Sequence, residues 1–169
     1  MCPDPILATA ADAAAIASVR VAAADRLTRD FGEGHWSSRA DERSVLRELT
    51  SNQILIVRSG GEVVGTASLQ KKKPWAIDLA YFTACGKPIY LINMAVHPGA
   101  QRRGIGRVLL EHALELARTD GAEAIRLDAY DGQVGAGEFY RKCGYQLRGG
   151  KTYRKVPLLY FERMIGASQ

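Results

Sequence analysis

The stretch that decides how this chain is read is Val96-His97-Pro98-Gly99-Ala100-Gln101-Arg102-Arg103-Gly104-Ile105-Gly106-Arg107-Val108-Leu109-Leu110. Its first residue closes an apolar run, Ile89 to Val96, without clean alternation, the pattern of a strand covered on both faces and so of the centre of a sheet. Its end leads into a helix from about Gly106 to Thr119. Ile105, Leu109, Ala113 and Leu116 share one face there, and Arg107, Glu111, Glu115 and Arg118 share the other. In the turn between strand and helix, Gly104 and Gly106 lack the side chains that would hold a phosphate oxygen away from the backbone. Successive N–H groups and the positive end of the helix dipole meet at one spot, with Arg102, Arg103 and Arg107 beside them. The turn predicts a pyrophosphate site built mainly from main-chain amides. A dinucleotide turn would need a third glycine where Leu109 stands, and no Gly-Lys-Ser/Thr exists for a triphosphate loop. Glycines that merely cap a helix among solvated arginines are the plain alternative.

On the C-terminal side, Gly121 is a helix stop and Ala124 to Tyr130 reads as a strand, so this strand, helix and strand form a parallel, right-handed unit. Val134 to Lys142 reads as a short helix, and Tyr145 to Leu147 and Leu158 to Arg163 as the last strands. On the N-terminal side, Gln53 to Arg58 and Glu62 to Leu69 are strand-like runs joined by Ser59-Gly60-Gly61, a hairpin. Ile6 to Ala8 reads as a strand, the alanine-rich stretch to Arg29 as a half-buried helix, and Arg39 to Thr50 as a second helix. Trp75 to Gly86 is apolar but irregular, and its element is left open.

The 169 residues correspond to one domain of the ordinary size of about 150, expected from residue 4 to 169. With 47% hydrophobic and 24% charged residues, disordered and fibrous classes are excluded. The 23 Lys and Arg against 18 acids give a charge of +5, which suits a polyanionic partner. Cys2, Cys85 and Cys143 are odd in number and show no C-x-x-C spacing, so neither a disulfide scaffold nor a metal site is expected. No apolar run approaches the roughly 18 residues that cross a bilayer, and the first residues lack the order of a signal peptide, so a cytoplasmic protein without a membrane partner is expected.

The turn resembles the acyl-CoA motif of the GNAT superfamily of N-acetyltransferases, Q/R-x-x-G-x-G/A, and Phe139-Tyr140-Arg141-Lys142-Cys143-Gly144-Tyr145 resembles its F-Y-x-x-x-G-F/Y motif. The order of elements from Ile6 to about Ile165 fits as well. The resemblance implies an α/β (α+β) fold: a mixed, mostly antiparallel central sheet of six to seven strands flanked by helices, with a splayed central parallel pair. It implies acetyl-CoA as cosubstrate and no metal. The pyrophosphate would be held by Gln101, Arg102, Arg103, Gly104, Ile105, Gly106 and Arg107. The pantetheine arm would pair with Met94, Ala95 and Val96 like an added strand, and an amide of Met94 or Ala95 would face the oxyanion. A bulge would fall at Asn93-Met94. Tyr140 would donate a proton to the departing thiolate, a step only slightly uphill from a phenol of ordinary pKa.

Two departures stand out. Gln133 occupies the position where many relatives carry a cofactor-binding Asn, keeping the amide on a longer arm. The central strand has Ile92-Asn93-Met94 where relatives often have an acid, so a water chain would have to reach Glu33, Asp78 or Asp128, each also readable as a surface or capping residue, or the amine arrives neutral. His97 fits a structural place beside Pro98, and Cys143 lacks a partner base. The acceptor pocket would draw on Phe31, Glu33, His35, Trp36, Trp75, Asp78, Tyr81 and Phe82, aromatics that equally suit a core, with Glu33, Trp36 and Asn93 singled out as substrate residues. The expected activity is transfer of an acetyl group to a primary amine of a small molecule, by direct attack in a ternary complex. A non-catalytic CoA sensor and acetylation of a protein or peptide amine are the alternatives. A homodimer is left open, and no nucleic-acid partner is expected.

Overall fold

The structure, a computed structural model, describes residues 2–166; the last three residues of the expected domain lie outside the described residues. Its strands are β1 (Ile6–Leu7), β2 (Gln53–Ser59), β3 (Glu62–Gln70), β4 (Pro88–Val96), β5 (Ala124–Tyr130), β6 (Gln146–Tyr153) and β7 (Val156–Met164). Its helices are α1 (Ala13–Phe31), α2 (Glu42–Leu49), α3 (Ile105–Thr119) and α4 (Gly137–Lys142). The seven strands run in the order β1-β2-β3-β4-β5-β7-β6. β4 and β5 pair in parallel, while β1 with β2, β2 with β3, β5 with β7 and β6 with β7 are antiparallel. This is the mixed, mostly antiparallel sheet expected. Contacts gather the chain into two units, Met1–Gln70 with Ile92–Ala113, and Lys71–Leu91 with Leu114–Gln169.

In the first unit, Ala13, Ile16, Ala17 and Val19 of α1 pack with Val45 of α2 and with Ile54, Ile56 and Val63 of the β2–β3 hairpin. α2 starts at Asp41, whose carboxylate accepts from Ser44 N at 2.7 Å while Ser44 Oγ accepts from Asp41 N at 3.2 Å, a reciprocal cap. The hairpin turns on Gly60 and Gly61, both at positive φ, as their sequence requires.

In the second unit, β5 and β7 pair along Ala124↔Met164 to Tyr130↔Leu158. Tyr160 of β7, Tyr90 of β4, Ile77 and Phe82 form one cluster, so the segment before β4 covers that side of the strands. Phe161, the next residue along β7, meets Tyr140 of α4 on the other side, with ring centroids 5.8 Å apart.

The structure moves several boundaries. β4 is buried only over Ile89–Leu91; from Ile92 to Val96 it is partly buried, with Asn93 exposed, so the expected two-sided burial ends at its midpoint. α4 begins at Gly137 rather than Val134, because residues 131–136 turn rather than coil into helix. β6 and β7 extend until only Arg154 and Lys155 separate them. The buried stripe of α3 is Ile105, Leu109, Leu110, Ala113, Leu114 and Ala117, leaving Leu116 half-buried. Between 75 and 86 the only regular element among the described residues is a single 3₁₀ turn, Leu79–Tyr81.

Candidate active site

Within β4 the chain leaves the extended region at one residue. Asn93 lies at φ +51, in the left-handed region that residues other than glycine rarely adopt. What holds it is a partly buried ion pair. Asn93 Nδ2 donates to Glu48 Oε2 at 3.2 Å, and Arg20 donates to both Glu48 oxygens, at 2.7 and 3.1 Å. Arg20 also donates to Ser68 Oγ at 3.1 Å. Burial pushes the Glu48 carboxyl up, but hydrogen bonds from Arg20, Ser68 and Asn93 together outweigh it and hold the carboxyl below its ordinary value. Residues from α1, α2, β3 and β4 thus meet at the exposed Asn93 side chain.

Past β4 the turn is built by its own side chains. His97 N donates to Val64 O at 2.8 Å, and His97 Nδ1 accepts from Gly99 N at 3.1 Å, the structural place read from its sequence. Gln101 Nε2 donates to Val96 O at 3.2 Å. Arg102 at φ +63 and Gly104 at φ +81 then bend the backbone in the left-handed sense. The Val108 amide bonds to Gly104 O at 3.1 Å. The amides of the preceding residues therefore belong to the first turn of α3, which lacks intrahelical acceptors. Left-handed residues ahead of such a turn help gather successive N–H groups into an anion-binding concavity. Arg102, Arg103 and Arg107 are exposed around it. Gly65 of β3 makes room for this end of α3, because a Cβ there would stand 2.6 Å from Ile105 Cγ2.

In the second unit, Tyr140 is buried, in ring contact with Phe139, Tyr145 and Phe161. Burial first, then the charges of Asp128 and Cys143, push its phenol far above the ordinary tyrosine range. Proton donation by Tyr140 is accordingly steeper than a phenol of ordinary pKa would allow, and the hydroxyl stays protonated at every working pH. Cys143 is buried at the end of α4, its carbonyl accepting from Arg163 at 2.7 Å. Gln133 is exposed in the loop before α4.

Of the residues expected around an acceptor, Phe31, Glu33 and His35 are exposed in the first unit, and Trp36 Nε1 donates to Gly32 O at 3.0 Å. In the second unit Phe82 is core, while Trp75 is 82% exposed. Asp78 is a capping residue, accepting from Ala80 N at 3.0 Å and from Lys151 Nζ at 2.6 Å. Those hydrogen bonds hold its carboxyl below the ordinary range. An open cavity of roughly 330 Å³ is lined there by Lys73, Trp75, Asp78, Lys151, Tyr153 and Tyr160.

Residues 21–145 match the acetyltransferase (GNAT) family. The chain belongs to that family. Among proteins it resembles are the [ribosomal protein bS18]-alanine N-acetyltransferase of Salmonella typhimurium, 38% identical over 32% of this chain and 37% of that protein. Another is the streptothricin acetyltransferase of Streptomyces lavendulae, 27% identical over 59% of this chain and 47% of that protein. The chain therefore spans about half or less of these relatives. The structure of yncA from Salmonella typhimurium with its cofactor acetyl-CoA matches the fold with a TM-score of 0.71 at 20% identity, over 97% of this chain and 94% of that one.

For a GNAT chain, the unexpected part of the site is the Arg20–Glu48–Ser68 support beneath Asn93. Glu48 sits on a short helix rich in charges, where a carboxylate reads as solvated. Its partners lie 28 and 45 residues away in sequence, so no local spacing signals the pairing.

Proposed function

We propose that this protein transfers an acetyl group from acetyl-CoA to a primary amine of a small molecule, by direct attack in a ternary complex. The observation that carries the reading is the turn from Gln101 to Arg107. There the left-handed Arg102 and Gly104 precede the open first turn of α3, and three exposed arginines surround it. Main-chain amides and arginines together fit a pyrophosphate. In this reading the amides of residues 101–107 and the Gln133 side chain hold acetyl-CoA. Met94, Ala95 and Val96 receive its pantetheine arm, and an amide of Met94 or Ala95 faces the developing oxyanion. Asn93, exposed and braced from below, meets the acceptor together with Glu33 and Trp36. The attacking nitrogen adds to the acetyl carbon, the carbon–sulfur bond then breaks as Tyr140 gives its proton to the sulfur, and the proton released by the nitrogen restores Tyr140 by way of solvent. Aromatic groups near a few acids favour a small amine, whereas the likeness to a ribosomal-protein acetyltransferase supports a protein amine as the second reading.

The test follows thiol release from acetyl-CoA across a panel of amines and peptides. Tyr140→Phe is expected to lower kcat by about 100-fold with acetyl-CoA affinity within about twofold of wild type. Tight acetyl-CoA binding with no transfer to any amine or peptide would instead identify a CoA sensor.

A further inference from the structure

The side-chain amide of Asn93 is held in one orientation. Its Nδ2 donates to Glu48 Oε2 at 3.2 Å, the atom to which Arg20 Nη1 also donates at 2.7 Å, while Arg20 Nη2 donates to Glu48 Oε1 at 3.1 Å. Burial raises the Glu48 carboxyl, but the hydrogen bonds from Arg20, Ser68 and Asn93 hold it below its ordinary value, so it is ionised at neutral pH. An ionised carboxylate only accepts hydrogen bonds. The Asn93 amide must therefore turn its NH2 inward and its Oδ1 outward, because a flipped amide would set two oxygens against each other.

The residue type fits this double duty. At φ +51 the backbone lies where Asn and Asp are tolerated better than most side chains. Asp would suit the backbone but would place a second carboxylate against Glu48. Asn supplies a donor toward the protein and an acceptor toward solvent. Its side chain is exposed, whereas Arg20 and Glu48 are each 11% exposed and Ser68 is buried. Among the described residues no group donates to Asn93 Oδ1. Glu48 is itself occupied by Arg20, Ser68 and Asn93, and a carboxyl held below its ordinary value is a poor base. What the network offers a ligand is one uncharged acceptor of fixed direction, which matches an N–H donor.

We propose that Asn93 Oδ1 accepts a hydrogen bond from the acceptor's attacking amine, and that Glu48 is the positioning residue that keeps this oxygen turned outward. This rests on the acetyl-transfer reading given above. One N–H fixed by a neutral oxygen restricts where the nitrogen lone pair points, and the oxygen takes no proton in doing so. Arg20 and Ser68 act one step further back, by holding Glu48.

The experiment uses the full chain saturated with CoA, so that binding is read without turnover. The ligands are the compound acetylated fastest in the panel above and the same compound with a methyl group in place of its NH3⁺, similar in size and without an N–H. In calorimetry, the preference of wild type for the amine should fall about tenfold in Asn93→Gly, a variant that adopts positive φ freely, with acetyl-CoA affinity unchanged. In Glu48→Gln the new amide can donate as well as accept, so the Asn93 amide is free to flip and the preference should fall about threefold. The double variant Asn93→Gly/Glu48→Gln should show no fall beyond that of Asn93→Gly alone. A purely structural Glu48 would weaken both ligands equally and leave the preference intact, which overturns its positioning role. An unchanged preference in Asn93→Gly overturns the whole proposal and leaves the acetyl-transfer reading standing. A wild type that binds acetyl-CoA and acetylates nothing overturns both. Should either variant not fold, NMR of the wild-type Asn93 side chain decides. An Nδ2 proton slow to exchange with water, and an amide signal that shifts with the amine but not with its methyl counterpart, support the proposal; a freely exchanging, unmoved amide refutes it.

Discussion

Glu48 shows how one side chain can decide the shape of a site it does not enter. Its carboxylate fastens Arg20 and Asn93 together, with side-chain exposure of 11% on both sides of the ion pair. Replacing it by Gln leaves the Arg20 charge buried and half-paired, a loss of about 3 kcal/mol. The pH sign follows from the carboxyl being held below its ordinary value of 4.5 in the folded chain. The stabilisation is complete above that value and is lost as pH falls through the lower, folded one. Urea unfolding between about pH 3 and 7 should show wild type weakening below about 4.5, and Glu48→Gln weaker at neutrality but flatter in that acid window. A variant as stable as wild type at neutrality, with the same acid slope, would remove Glu48 from the account. Asp128 and Asp78 show what residue type alone conveys. Both read as acids a proton relay could use or as surface groups, and only the structure separates them. Asp78 has a lysine and a cap, while Asp128 is partly buried on β5, where burial raises its carboxyl.

Among the elements, the β6–β7 hairpin is the least expected. Tyr153 pairs with Val156, so Arg154 and Lys155 form a two-residue loop, both left-handed at φ +48 and +68. That geometry favours Asn-Gly, and each ordinary side chain held there costs about 1 kcal/mol. The double variant Arg154→Asn/Lys155→Gly should raise stability by about 1 to 2 kcal/mol, measured as a higher urea midpoint at unchanged slope. No gain would mean that the two residues have compensating contacts. The hairpin was illegible because Arg-Lys is not turn chemistry, whereas Gly60-Gly61 in the other hairpin is, and that turn was legible. The strand–turn–helix at residues 88–107 was legible for the same reason: its glycines and helical periodicity are local properties. The opening of β4 after Leu91 was not, since an apolar run tells where a strand lies and not what covers it.

For the whole molecule, the excess of five positive charges reads differently once the turn is in place. Arg102, Arg103 and Arg107 lie exposed around one set of amides, so part of the positive balance is concentrated where a pyrophosphate would sit. Exposed charges of this kind are screened by salt. Acetyl-CoA affinity should therefore fall by about threefold between about 20 and about 200 mM salt. The triple variant Arg102→Ala/Arg103→Ala/Arg107→Ala should bind more weakly at low salt and show a flatter dependence, both by calorimetry. Equal slopes would place the anion elsewhere. The mixed sheet with one parallel pair was implied by the family resemblance, whereas the order of the seven strands belongs to the structure alone.

The support beneath Asn93 also bears on whether the site can be moved. A segment covering residues 88–107 carries the whole turn, its glycines and its arginines, and would look like a portable anion-binding module. The three residues that fix Asn93, however, come from α1, α2 and β3, between 25 and 73 positions upstream of it. Grafted into another scaffold, the segment would bring the amides and leave behind what holds the strand in its left-handed bend, so the transplantable unit begins at Arg20.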